Sequence, residues 1–221
     1  MPKHLQREIE NLKKKLLALG AIIETAVRDA TLSIEKRDSN LAQKVMDNDV
    51  NIDHTEVEIE EDCLKILALH QPVAIDLRFI VAVLKINNDL ERIGDLAVNI
   101  AERAVFLAGQ PKINIAIDLV NMAHNAQSML KKSLDSLVNH DAKLAHKVCA
   151  SDDTVDQMNR QMYLKVQEAI LKNPEQISAS IHLLSASRHL ERIADHTTNI
   201  AEDVIYMIEG QIMRHKTEEY E

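Results

Sequence analysis

One stretch of this chain is written twice. Leu90-Glu-Arg-Ile-Gly-Asp-Leu-Ala-Val-Asn-Ile-Ala-Glu102 returns as Leu190-Glu-Arg-Ile-Ala-Asp-His-Thr-Thr-Asn-Ile-Ala-Glu202, with nine of thirteen positions identical at a spacing of 100 residues. Two unrelated amphipathic helices share a pattern of apolar and polar positions, not the residues themselves, so the match marks an internal duplication. A second pair of segments extends it. Asp38, Leu41, Ala42, Lys44, Val45, Asp49 and Asp53 recur as Asp141, Leu144, Ala145, Lys147, Val148, Asp152 and Asp156. A period near 100 residues is too long for a solenoid and suits two similar domains, so any fold available to one half must be available to the other. The expected division is 1–109 as a first repeat, 110–213 as a second, and 214–221 as a charged C-terminal tail.

Helix is the element both halves can make. Only four glycines and four prolines interrupt a sequence rich in Leu, Ala, Ile, Glu and Lys, all strong helix formers. Leu5, Ile9, Leu12, Leu16, Leu19, Ile23, Val27, Ala30 and Ile34 recur at three- and four-residue steps, which predicts one helix from Leu5 to about Lys36. Asp38 supplies an N-cap for a second, densely acidic helix to about Leu69. Gln71-Pro72 breaks the chain, with Pro72 suited to the first turn of a third helix that ends at Gly109. The second half repeats this order, with a fourth helix from roughly Ile113 to Asn139. A fifth opens at Asp141, and the Asn173-Pro174 break leads to a sixth that ends near Gln211. The fold class is therefore all-α: six long helices in two tandem three-helix bundles.

Within each copy of the motif the polar identities form a stripe at i, i+4, i+8 and i+11: Glu91, Asp95, Asn99 and Glu102, then Glu191, Asp195, Asn199 and Glu202. The preceding helix of each half carries its own acidic pair, Asp49 with Asp53 and Asp152 with Asp156. Asp53 and Glu91 lie equally far from Pro72, as do Asp49 and Asp95; Asp156 with Glu191 and Asp152 with Asp195 are likewise centred on the Asn173–Pro174 bond. An antiparallel hairpin about each break thus brings four carboxylates to one height. At about 6 Å and an effective dielectric of about 20, each like-charged contact costs on the order of 2 to 3 kcal/mol before screening. Such a patch must take up protons or cations. Its all-oxygen character suits a divalent or trivalent metal, with Asn99, Glu102, Asn199, Glu202 and His196 as weaker candidates. No Glu-x-x-His pair is present, and the acids flank the apolar stripe, which places the metals at the bundle surface, partly hydrated.

The doubled Leu-Glu-Arg-Ile-Gly/Ala-Asp with Asn-Ile-Ala-Glu, together with Pro72-Val-Ala-Ile-Asp-Leu-Arg78, resembles the PhoU family over nearly the whole chain. The resemblance implies multinuclear iron or zinc clusters, rather than magnesium or calcium, on Asp49, Asp53, Glu91 and Asp95 and on Asp152, Asp156, Glu191 and Asp195. It implies a non-enzymatic regulator that restrains phosphate uptake and the phosphate-starvation response, a homodimer, and two partners: the ATPase subunit of the phosphate transporter and a sensor histidine kinase. The family often has His after the motif Asp; His196 fits and Leu96 departs. Asp76 and Arg78, in a hairpin without a good counterpart at Pro174, are candidates for partner contact.

The remaining composition narrows the alternatives. A net charge of −9 with 2% aromatic residues gives neither the basic footprint nor the stacking surface that nucleic acid requires. No apolar run is long enough for a signal peptide or a membrane span, so membrane recruitment would come through partners. Cys63 and Cys149, one per half in unrelated contexts, read as reduced, buried thiols of a cytoplasmic protein. Arg92 and Arg192 are expected to point about 100° away from the motif Glu into surface ion pairs, and Gly94, opposite Ala194 in the other copy, to permit close helix approach. The rival functions are a carboxylate-bridged metalloenzyme and a metal-free helical scaffold of co-chaperone type.

Overall fold

The computed structural model describes residues 3–113, 115 and 118–210, all-helical among them. The first half holds α1 (Lys3–Lys36), α2 (Ser39–His70) and α3 (Ala74–Ala108). The second holds α4 (Leu119–Asn139), α5 (Ala142–Cys149), α6 (Asp152–Lys172), a 3-10 turn at Pro174–Gln176 and α7 (Ile177–Glu209). Each half is a three-helix bundle, with α5 and α6 together in the place of α2. The expected tail at 214–221 lies outside the described residues.

Three expectations are corrected. The fifth helix is not continuous: Ser151 Oγ donates to the Lys147 carbonyl at 2.7 Å, and the Ser151 N–H bonds to Val148 three residues back at 2.9 Å. A hydroxyl competing for the helix ladder ends α5 there, and α6 restarts with Asp152 in its first turn. The fourth helix begins at Leu119, not near Ile113, because the Asp118 carboxylate accepts from the Asn121 N–H and caps it. Pro72 precedes the N-cap residue of α3, Val73, and is therefore outside the first turn.

The turn into the second helix of each half is built the same way twice. Arg37 and His140 both adopt left-handed backbone, at φ 56° and 51°, and the next residue's N–H reaches back to the Ser33 and Ser136 carbonyls at 3.0 Å in each case. Asp38 then accepts from Asn40 and Leu41 N–H groups and Asp141 from Leu144. Capping chemistry, not the identity of the strained residue, carries the turn across the duplication.

One hydrophobic core runs through both halves, and the most extensive helix contact is between them, α3 against α7. The pairs Lys85–Asp203, Asp89–His196 and Phe106–His182 show that α3 and α7 run antiparallel, with the two copies of the motif level with each other. Gly20 lets α4 approach α1, since a Cβ there would collide with Leu134. At Gly94 a Cβ would stand 3.2 Å from two Ile52 carbons, tighter than ordinary van der Waals contact. The equivalent positions in the other half hold Ala194 and Val155, both fully buried, so a methyl group has moved from one helix to the other at constant volume. In an Ile52→Val background, Gly94→Ala should stabilise the fold by about 1 kcal/mol through helix propensity. In the native background the same change should be less favourable by at least about 1 kcal/mol, a coupling that denaturant unfolding of the four proteins reads directly.

Candidate metal centre

Burial of Leu90, Ile93, Ala97 and Ile100 fixes the rotation of α3, and so leaves Glu91 and Asp95 at the edge of its apolar stripe beside α2. Ile52 and Ile59, buried on α2, set Asp49 and Asp53 in the same way. The two pairs meet in the expected register. The Asp49 carboxyl is pushed above its usual range by burial first, and then by the charges of Asp53 and Asp95. Burial likewise raises Glu91, with Asp95, Glu56 and Asp53 adding and Arg92 opposing. Asp49 Oδ1 is buried with no hydrogen-bond partner; it lies 4.0 Å from where a Cβ on Gly94 would stand, so the missing side chain leaves room beside it.

The second patch is tighter. Asp152, Asp156 and Asp195 each bring a carboxylate oxygen within 4.8 Å of the other two, the only such group among the described residues. Asp152 Oδ1 is buried and has no hydrogen-bond partner. Burial, then Asp195, Asp156, Asp153 and Glu191, push the Asp152 carboxyl up to about 7. Asp195 is raised by burial and Asp156, against the lowering charges of His196 and Arg192, and Glu191 by burial with Asp195 and Asp156. Three converging oxygen donors, one of them orphaned and close to protonation at neutral pH, are a donor set that a hard or borderline cation fits.

The weaker candidates lie elsewhere. Asn99 Nδ2 donates to the Asp95 backbone carbonyl at 2.9 Å, and Glu102 is exposed and paired with Arg103 at 2.8 Å. His196 Nδ1 lies 2.8 Å from Asp89 Oδ1, and Asn199 Nδ2 donates to the same oxygen at 3.4 Å, so both side chains are turned toward α3. Glu202 is half-buried one turn beyond Asn199. Asp76 lines a groove of about 540 Å³ with Ile9, Phe79, His140 and Met207. Arg78 packs beside Gly210 at the end of α7.

Arg92 does not turn away from the motif: it bridges Asp95 at 3.3 Å and Glu91 at 3.5 Å, because a long guanidinium stem reaches across the angle between adjacent helix positions. In the second patch the paired arginine is on the other helix: Arg160 lies 3.6 Å from Asp156, one turn away on α6. Both cysteines are free and buried, and burial pushes the Cys63 thiol up to about 12. Glu56 was not singled out from sequence, yet it extends the first patch: burial raises it, followed by Glu60 and Asp53. Asn87 donates to its backbone and side-chain oxygens at 2.9 and 3.2 Å. The equivalent pair is Ser187 donating to Asn159 at 2.7 Å, so a search for residues identical in both halves passes over the acid.

The raised carboxyls have a signed consequence. Asp152 binds its proton more tightly when folded, at about 7 against 3.8 for an ordinary aspartate. Its stabilising effect is whole below about pH 4 and is lost as pH rises through about 7. Chelator-treated protein should therefore melt at a lower temperature at pH 8 than at pH 5, and Asp152→Asn should flatten much of that fall.

Comparison with known proteins agrees with the duplicated architecture. A family model described as PhoU domain matches residues 16–104 and again 119–204. A phosphate-specific transport system accessory protein PhoU homolog of Aquifex aeolicus is 39% identical over 212 residues, 96% of each chain. The homolog from Pseudomonas aeruginosa is 38% identical over 94% of this chain and 86% of its own. The crystal structure of PhoU from Pseudomonas aeruginosa superposes with a TM-score of 0.88 at 38% identity, over 93% of this chain and 99% of that one. The phosphate transport system regulatory protein PhoU from Streptococcus pneumoniae gives 0.83 at 29% identity, over 94% and 98%. With both halves matched by the family model and nearly the whole length shared with these relatives, this chain belongs to the PhoU family.

Proposed function

We propose that this protein is a metal-carrying regulatory adaptor that restrains phosphate uptake and phosphate-starvation signalling. Membership of the PhoU family supports a regulatory role without catalysis, and the relatives' names tie them to phosphate-specific transport. The observation that carries the metal reading is the convergence of Asp152, Asp156 and Asp195 within 4.8 Å, with an orphaned oxygen on Asp152. Asp49, Asp53, Glu91 and Asp95 would hold metal in the first half, and Asp152, Asp156, Asp195 and Glu191 in the second, in multinuclear clusters of iron or zinc. A bound cation supplies positive charge where each hairpin otherwise repels itself. It thereby fixes α2 against α3, and α6 against α7, and sets the shape of the surface offered to partners.

By its family those partners are the transporter ATPase subunit and a sensor histidine kinase, met by a homodimer at the cytoplasmic face of the membrane. No described helix is long and apolar enough to cross a membrane, which is consistent with recruitment through the partners. The repeats at 1–109 and 110–213 each contribute one patch.

Metal removal tests the reading. Chelator-stripped protein should gain melting temperature when iron(II) or zinc is restored, and elemental analysis should find metal in the restored sample. Free metal at a hundredfold excess over its dissociation constant stabilises by about 2.7 kcal/mol. The paired change Asp152→Asn with Asp195→Asn should abolish the second-half share of that gain. A stripped protein that neither binds nor responds to either metal would sink the proposal.

A further inference from the structure

The α3–α7 contact has two sides that the duplication makes equivalent. Because the two helices are copies packed antiparallel, exchanging each residue for its partner 100 positions away carries one side onto the other. On the first side ion pairs close the seam: Lys85 Nζ stands 2.9 Å from Asp203 Oδ1 and His196 Nδ1 2.8 Å from Asp89 Oδ1. On the other side Asp203 becomes Arg103 and Asp89 becomes His189, while Lys85 and His196 become Ser185 and Leu96. Both acids have turned into bases, and no ion pair among the described residues crosses on that side.

The side chains that remain are left with unmet nitrogens. Arg103 Nε, His182 Nδ1 and His189 Nδ1 are all buried with no hydrogen-bond partner. The His182 ring stacks on Phe106 with centroids 3.7 Å apart, which fixes its orientation one turn from Arg103. Ser185 Oγ lies 3.2 Å from His189 Nε2, so a hydroxyl donating there leaves Nδ1 as the N–H of the ring. Burial, then Arg103, hold both imidazoles below the usual histidine range; Arg188 and Arg192 add positive charge at His189, and Glu102 opposes them. Arg103 is 30% exposed along its side chain, so the seam opens to solvent at that edge. An unmet buried donor is costly, more so on a charged group. A carboxylate accepts in a single plane, whereas a tetrahedral oxyanion presents four oxygens in three dimensions to nitrogens spread over two helices.

We propose that this seam binds a tetrahedral oxyanion of the phosphate class, with Arg103, His182 and His189 as its donors. Arg103 is paired with Glu102 of the motif stripe at 2.8 Å; the test uses chelator-treated protein, so its outcome does not depend on metal binding. Titration with inorganic phosphate, followed by calorimetry, should show saturable binding that weakens at least about tenfold in Arg103→Gln, the loss expected of one charge-assisted contact. Arg28→Gln, on the far helix α1, should bind as the native protein does. In ring-labelled native protein the His182 and His189 resonances should move on adding phosphate while His124 stays in place. A parallel titration with glycerol 3-phosphate separates the sources: tighter binding of the ester identifies a phosphorylated metabolite, and its exclusion identifies the free ion. No saturable binding of either, native affinity in Arg103→Gln, or movement confined to other histidines would overturn the assignment.

Discussion

The structure depends on a conflict between apolar burial and charge. Leu90, Ile93, Ala97 and Ile100 on α3, with Leu190, Ile193, Ala194 and Ile200 on α7, are buried to within 1%, and that burial fixes how each helix is rotated. At roughly 25 cal/mol per Å² of apolar surface, a full stripe of this kind is worth several kcal/mol per turn of helix. Repulsion between half-exposed carboxylates, screened by water and salt, is smaller per pair. Burial wins, and the acids must sit where the core puts them. The cost appears as carboxyls raised toward protonation in both patches: Asp49 and Glu91 in one, Asp152, Glu191 and Asp195 in the other.

Much of this was legible before any coordinates, and for a physical reason. Two long amphipathic helices joined by a tight break have little freedom to slide, so distance from Pro72 or from the Asn173–Pro174 bond fixes which residues meet. Hence Asp49 faces Asp95, and Asp152 faces Asp195. What could not be read depended on tertiary neighbours. The break at Ser151 needs one hydroxyl to find one carbonyl, although the first half carries an unbroken helix at the equivalent residues. Glu56 was hidden because only its own half keeps an acid there. His196 sits beside a motif aspartate in sequence, yet its Nδ1 is taken up by Asp89 of the other half, a contact that no pattern within one half reveals.

Divergence between the halves is as informative as identity. Where the duplicated positions face the core, exchange conserves volume, as with Ile52 and Gly94 against Val155 and Ala194. Where they face the other half, exchange inverts charge, as with Asp89 and Asp203 against His189 and Arg103. The first kind keeps two bundles interchangeable; the second makes the contact between them one-sided. A helix pair with ion pairs on one side and unmet nitrogens on the other is not a symmetric hinge, and it gives a duplicated chain two chemically distinct faces.

The two acidic patches differ in the same spirit. The first spreads its charge over Asp49, Asp53, Glu56, Glu91 and Asp95, and Arg92 lies across it on the motif helix itself. The second draws three aspartates together, and the arginine paired with it, Arg160, lies on the facing helix and touches only Asp156. Its neighbour in the stripe is the neutral Asn159, where the first patch has Glu56. An aspartate has one fewer rotatable bond than a glutamate and holds its oxygens closer to the backbone, so a cluster of aspartates cannot relax by swinging apart. The helix break at Ser151 places Asp152 in the first turn of α6, where unpaired N–H groups favour negative charge. Its carboxyl is nevertheless driven to about 7, which means that burial and four other acids outweigh the helix end. At the second patch a cation would displace a proton that Asp152 holds more tightly than an ordinary aspartate does, whereas at the first it would compete with Arg92, already in place beside Asp95 and Glu91.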